Sequence, residues 1–298
     1  MFEGLSVAMV TPFREGEVDH EAVDRLVDHL LDGQVDGIIP LGTTGEGPTV
    51  TMAEREEIVR RVVGRARGKA FVLVGTGTNN TRTSIELTRM AHELGADGAL
   101  IATPYYNKPT QAGLIAHYRA IADEGGLPIM LYNVPGRTSV TLSVDSVCTL
   151  AEHPRIVAIK EATGSLDVSS EICRETDLTV VSGDDSLTLP ILAVGGQGVV
   201  SVLGNVIPAA VQKMLRAFQS GDLAEARRLH LASFSFIKAL FIETNPGPVK
   251  RALAQLGLLQ EELRLPLVPV SAASAQRIDA ELARLAVEIG PVRMGSAV

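Results

Sequence analysis

Eight times in succession along the first two thirds of the chain, a short apolar run gives way to a longer segment with helical spacing. The runs lie at 6–10, 37–40, 71–74, 99–101, 129–131, 156–159, 178–181 and 199–202. They are rich in Val, Ile and Leu and continuous rather than alternating. That pattern suits strands buried on both faces of a parallel sheet. The segments between them read as helices over 21–31, from Thr51, and over 81–94, 111–123, 143–152, 166–174 and 208–218, with a short one through Leu187, Leu189 and Leu192. In the first of these Leu26, Val27, Leu30 and Leu31 share one face. In the second, Thr51 and Glu54 have capping-box spacing. Gly95 is placed to stop the third. Eight uninterrupted strand–helix units with no antiparallel hairpin signal predict an α/β fold, a (β/α)8 TIM barrel. A doubly wound open sheet rarely needs so many units.

After Gly221 the strands stop and only helical spacing remains, through Leu223, Ala226, Leu229, Phe236, Ile237 and Leu240. Pro248 is placed to open a helix that carries Val249, Ala252, Leu253 and Leu256 and ends at Gly257. A last helix carries Ile278, Leu282 and Leu285, and Gly290 to Val298 is expected to fray. The division expected is a catalytic barrel over 1–221 and a small C-terminal helical domain over 222–298.

Composition narrows the classes of function. A formal charge of −8 argues against nucleic acid and anionic membrane surfaces as partners. No apolar run approaches a membrane span, and the first residues lack the basic start of a signal peptide. The two cysteines, Cys148 and Cys173, have no metal or redox spacing, so a reduced cytoplasmic setting is expected. Gly75-Thr76-Gly77 lacks the third glycine of a dinucleotide loop, and Gly64 to Lys69 lacks P-loop spacing. No GxSxG or HExxH occurs.

In a barrel of this kind chemistry belongs to the loops that follow the strands, and the unusual residues fall there. The sixth run, Ile156-Val157-Ala158-Ile159, leads straight into Lys160. A lone lysine at a strand end is ordinarily a solvated gatekeeper. In a partly dry mouth, desolvation instead favours the neutral amine that a Schiff base requires. The second strand is followed by Gly42-Thr43-Thr44-Gly45-Glu46, whose hydroxyls and amides can make a nest for a carboxylate, or simply an ordinary glycine-rich turn. The fourth is followed by Thr103-Pro104-Tyr105-Tyr106-Asn107, and the fifth by Tyr132-Asn133-Val134-Pro135-Gly136-Arg137. A tyrosine can relay protons and an arginine can fork a carboxylate. Such tyrosines can equally anchor loops. Gly183-Asp184-Asp185 follows the seventh strand. Its aspartates hint at a metal, but Asp185 is better read as the cap of the next helix.

Lysine, tyrosines, paired threonines and an arginine on one rim are the kit for imine chemistry on a small keto acid. The ordered set Gly42-Thr43-Thr44-Gly45-Glu46, Tyr105-Tyr106-Asn107, Tyr132-Asn133-Val134-Pro135, Ile159-Lys160-Glu161-Ala162, Ser182-Gly183-Asp184-Asp185 and Asn245-Pro246-Gly247-Pro248 resembles the pyruvate-dependent class I aldolases of the dihydrodipicolinate synthase / N-acetylneuraminate lyase family. The resemblance spans nearly the whole chain. It implies Lys160 as the imine-forming residue, and Thr44, Tyr132 and Tyr106 as a proton relay. It implies Thr43 and Thr44 on the pyruvate carboxylate, and Gly183 and Val200 lining the substrate space. Tyr105 and Tyr106 are implied at a dimer interface, with one of the relay residues supplied across it. A homo-oligomer, a tetramer built as a dimer of dimers, follows, and no cofactor or metal is implied. Arg137 favours the synthase branch, in which that arginine holds the carboxylate of aspartate 4-semialdehyde for condensation with pyruvate in lysine and diaminopimelate biosynthesis. The remaining readings are a lyase of sugar-derived keto acids, such as 2-keto-3-deoxygluconate or N-acetylneuraminate, and a non-catalytic keto-acid binder.

One departure stands out. Lysine-inhibited members of the family often carry histidines where this chain has Met52 and Arg55, and a glutamate where it has Thr83. Arg55 would repel the inhibitor's ammonium and Thr83 offers it no charge, so weak or absent lysine feedback is expected.

Overall fold

The computed structural model describes residues 1–290, so the fraying expected beyond Gly290 lies outside the described residues. Eight strands close into one parallel barrel: β1 (Gly4–Ala8), β4 (Gly37–Ile39), β5 (Phe71–Gly75), β6 (Gly98–Ala102), β7 (Ile129–Asn133), β8 (Ile156–Glu161), β9 (Thr179–Ser182) and β10 (Gly198–Ser201). β1 pairs with both β4 and β10, which completes the ring. Helices α1 (His20–Asp32), α2 (Met52–Ala66), α3 (Thr81–Glu93), α4 (Gln111–Glu124), α6 (Val144–Ala151), α7 (Leu166–Glu175), α8 (Thr188–Ala193) and α9 (Pro208–Gln219) surround it. Helices α10 (Leu223–Ala239), α11 (Gly247–Gln255) and α12 (Ala272–Ile289) follow.

The core divides into two layers because successive strand residues face opposite ways. Ile38, Val72, Val74, Ile101, Leu131, Ile159, Val180 and Val199 point outward into the layer beneath the helices. Ile39, Leu73, Leu100, Met130, Ala158, Val181 and Val200 point inward and fill the barrel, with Phe2 among them. Tyr132 is in phase with Met130, and Lys160 is in phase with Ala158. Both side chains therefore enter the barrel at its C-terminal end.

Three features differ from the sequence reading. β1 begins and ends two residues earlier than expected: Gly4 N–H donates to the Gln197 carbonyl, whereas Val10 N–H turns to the Asn205 side chain. A short antiparallel hairpin, β2 (Phe13–Arg14) with β3 (Glu17–Val18), precedes α1. Its turn is Glu15-Gly16, and both of these residues have positive φ. Finally, β7 and β8 run further than their apolar stretches, so Tyr132, Asn133, Lys160 and Glu161 are strand residues rather than loop residues. A four-residue helix, α5 (Pro135–Thr138), follows β7 directly.

Candidate active site

Lys160 is 5% exposed. Its register partner across the β7–β8 ladder is Tyr132, and its amine lies 4.1 Å from the centre of the Tyr132 ring. The next rung pairs Asn133 with Glu161, on the outward face. Glu161 accepts from Asn133 Nδ2 at 3.2 Å and from Thr163 N–H at 2.6 Å. Burial raises the Glu161 pKa above the usual carboxylate value, against the pull of those hydrogen bonds. Asn133 also exchanges two hydrogen bonds with the backbone of Leu142. This outer network pins the rung next to Lys160 and fixes the strand ends that aim Tyr132 and Lys160 inward.

Gly183 closes the other side of the lysine. A Cβ placed there would lie 3.1 Å from Lys160 Cε and 2.7 Å from the Ala162 methyl. Only glycine leaves room for the stem. Val200 is buried in the barrel interior. Asp185 does not cap the next helix; Asp184 accepts from Ser186 N–H instead. Asp185 is buried and accepts from the amides of Val202 and Leu203 and from the Ser201 hydroxyl. It ties the loop after β9 to the loop after β10, and burial raises its pKa. Among the described residues no cluster of three His, Cys, Asp or Glu side chains could hold a metal ion.

The loop after β4 folds over the barrel mouth. Leu41 and Glu46, at either end of Gly42-Thr43-Thr44-Gly45, both have left-handed φ, +62° and +50°. Such strain persists only where surrounding contacts hold it. Gly45 lies against the Leu41 backbone, where a Cβ would come within 2.7 Å of the Leu41 nitrogen. The amides of Thr43 and Thr44 have no hydrogen-bond acceptor among the described residues. Thr44 is buried and its hydroxyl accepts from Asn245 Nδ2 at 2.9 Å.

The holder of this loop was only partly visible in the sequence. Glu46 and Lys250, both wholly buried, form an ion pair beneath it. Lys250 Nζ also donates to the Glu262 carbonyl at 2.8 Å and sits 4.2 Å from the centre of the Phe13 ring. Burial pulls the Lys250 pKa down to about 8, opposed by the Glu46 carboxylate. Arg264 N–H donates to Glu46 at 3.1 Å, and its guanidinium carbon lies 4.4 Å from the centre of the same Phe13 ring. The available signal was a charge, Lys250, next to the apolar face of α11: a buried cation requires a partner.

The tyrosines are not brought together in one chain. Tyr105 and Tyr106 are 37% and 89% exposed, and Tyr106 has φ +71°. No hydrogen bond joins Tyr106 or Thr44 to Tyr132 among the described residues. Arg137 lies in α5 and is exposed. Thr43 is half-buried beside Thr44.

A closed (β/α)8 barrel whose polar side chains gather at the C-terminal rim, around a buried lysine, makes this chain a TIM-barrel enzyme. It belongs to the dihydrodipicolinate synthetase family, whose model matches residues 1–285. It is 51% identical over 277 residues to the 4-hydroxy-tetrahydrodipicolinate synthase of Pelobacter propionicus, covering 92% of this chain and 95% of that protein. It is 50% identical over 285 residues to the enzyme of the same name from Thermomicrobium roseum, covering 95% and 94%. The crystal structure of dihydrodipicolinate synthase from Aquifex aeolicus superposes with a TM-score of 0.93 at 46% identity, covering 95% of this chain and 98% of that one. No helix among the described residues is long and apolar enough to cross a membrane.

Proposed function

We propose that this chain condenses pyruvate with L-aspartate 4-semialdehyde to 4-hydroxy-tetrahydrodipicolinate, the reaction named for its relatives. The observation that carries the proposal is the Lys160 amine, buried in the barrel mouth against Tyr132. Lys160 attacks the pyruvate ketone, water leaves, and an iminium forms. The iminium accepts the electron pair released when the methyl group loses a proton, which gives an enamine. The enamine carbon bonds to the aldehyde carbon, whose oxygen takes up a proton to become the hydroxyl. The amino group of the adduct then attacks the imine carbon, closes the ring and releases Lys160.

Thr43 and Thr44, with their unpaired amides, receive the pyruvate carboxylate. Tyr132 and Thr44 move the proton between the methyl group and solvent. Gly183 and Val200 border the reacting carbon. Arg137 holds the carboxylate of the aldehyde. Tyr106 projects from the chain and completes the relay of a second subunit, with Tyr105 beside it, so the active form is a homo-oligomer, in our reading a tetramer in the cytoplasm. No cofactor is required, because the iminium is itself the electron sink.

The test is consumption of both substrates, coupled to a dihydrodipicolinate reductase and read as nicotinamide oxidation, with borohydride trapping of pyruvate alongside. Coupled turnover with trapping on Lys160 is expected. Trapping without turnover would reassign the chain to a keto-acid lyase. Absence of trapping would overturn the imine.

A further inference from the structure

Thr44 and Asn245 lie 201 residues apart in the chain, yet they share a buried hydrogen bond of 2.9 Å at the barrel mouth. A threonine hydroxyl has one proton to donate and two lone pairs to accept with. Here one lone pair is taken by the Asn245 amide, and the hydroxyl proton has no acceptor among the described residues. Asn245 Oδ1 is also buried, without a partner among the described residues. The bond from Asn245 Nδ2 to Thr44 Oγ1 turns the donor side of the amide, not its acceptor side, toward Thr44.

Asn245 lies two residues before α11, whose Lys250 is paired with Glu46, two residues beyond Thr44. Arg264 N–H reaches the same carboxylate. The strained turn that presents Thr44 is thus set against the segment from Asn245 to Arg264, and not by the barrel strands alone.

We infer that Asn245 is a positioning residue that fixes the direction of the Thr44 hydroxyl: by donating to its oxygen, Asn245 leaves the Thr44 proton free to be given to a group in the mouth. This rests on the imine reading above and assigns a polarity to its proton transfer. An acceptor at position 245 would draw the hydroxyl proton away from the mouth. Asn245→Asp makes that exchange with almost no change of shape, whereas Asn245→Ala removes the hold without reversing it.

The experiment uses pyruvate alone in D2O. Exchange of its methyl protons, followed by NMR, reads enamine formation. Borohydride trapping reads the imine, and a thermal melt reads the fold. Asn245→Asp should trap pyruvate at close to the wild-type rate but exchange its methyl protons at least about tenfold more slowly, a part of the roughly 100-fold or more that a positioned proton-transfer group contributes. Asn245→Ala should lie between the two. With Thr44→Val in place, the Asn245 substitutions should have no further effect on exchange. Exchange in Asn245→Asp equal to wild type would overturn the inference, as would trapping and exchange falling in parallel, or an Asn245 effect that persists without the Thr44 hydroxyl. If Asn245→Asp melts early, Asn245→Ala with and without Thr44→Val carries the same comparison. Failure of the wild-type protein to trap pyruvate would instead refute the imine on which the inference rests.

Discussion

Lys160 and Tyr132 are rung partners on adjacent parallel strands, and the amine of one lies 4.1 Å from the ring centre of the other. Two consequences follow. The tyrosine walls one side of the amine with an aromatic face, and the pair moves only as the β7–β8 ladder moves. Gly183 walls the other side.

Gly183→Ala should therefore disable the lysine more than it unfolds the protein. The added methyl would meet the Ala162 methyl at 2.7 Å and Lys160 Cε at 3.1 Å. A misplacement on the order of 1 Å at a reacting group can lower the rate by roughly 100-fold. The expected result is slow borohydride trapping in a protein that still folds, its stability lowered by about 1–3 kcal/mol as for other overpacked sites. Normal trapping would show that the stem has space to spare.

The Glu46–Lys250 pair should show strong coupling. Removing one partner of a buried pair leaves an uncompensated charge, typically about 3–5 kcal/mol. Lys250→Met alone should lower stability on that scale, as should Glu46→Gln to a lesser degree. The double variant should be more stable than the sum of the two losses predicts. Urea unfolding of all four proteins gives the cycle, and additive losses would deny the coupling.

Stability should fall in two stages on the acid side. The His117 ring is buried, which lowers its pKa to about 4. In the unfolded chain it takes up a proton near about 6.5, so stability declines as pH falls from there toward 4. Hydrogen bonds from the Arg264 guanidinium, one of 2.8 Å, hold the Glu54 carboxyl at about 2. Its contribution is complete above the unfolded value of about 4.3 and is lost as pH falls toward 2. Glu54→Gln should flatten the lower stage and leave the upper one, as read by thermal midpoints across pH. An unchanged lower stage would rule out Glu54 as its source.

Arg137→Ala should spare the first half-reaction. A charge-assisted hydrogen bond to a carboxylate contributes about 1.5–3 kcal/mol, so kcat/KM for the aldehyde should drop roughly 10- to 150-fold. Pyruvate trapping should be unaffected. An unchanged kcat/KM would remove Arg137 from the site.

L-Lysine should inhibit weakly or not at all. Arg55, in α2, is committed to carbonyls of the loop that precedes its helix, Val50 at 3.2 Å and Gly47, and Thr83 carries no charge. Initial rates over a lysine titration decide this; half-maximal inhibition at cellular concentrations would contradict it.

The order of strands and helices was legible in the sequence because it depends on local periodicity. A run such as Ile156 to Ile159 is buried on both faces wherever it sits, and alternation along it assigns Ala158 and Lys160 to the same side. Thr51 and Glu54 form the expected capping box, since cap and acceptor are three residues apart. The β2–β3 hairpin escaped because its strands are two residues each, too short to show a period. The role of Asp185 escaped because its partners, Ser201 to Leu203, lie on the next strand and loop.

What the sequence alone determined is the set of elements and the phase of each side chain upon them, since both are matters of backbone spacing. Only the tertiary structure decided that Asn245 meets Thr44 and that Lys250 meets Glu46, because both contacts join the loop after β4 to the segment from Asn245 to Arg264, which the fold brings back to it. A hydrogen bond between distant residues has no period to reveal it; it exists only where the fold removes both groups from water and leaves each as the other's partner.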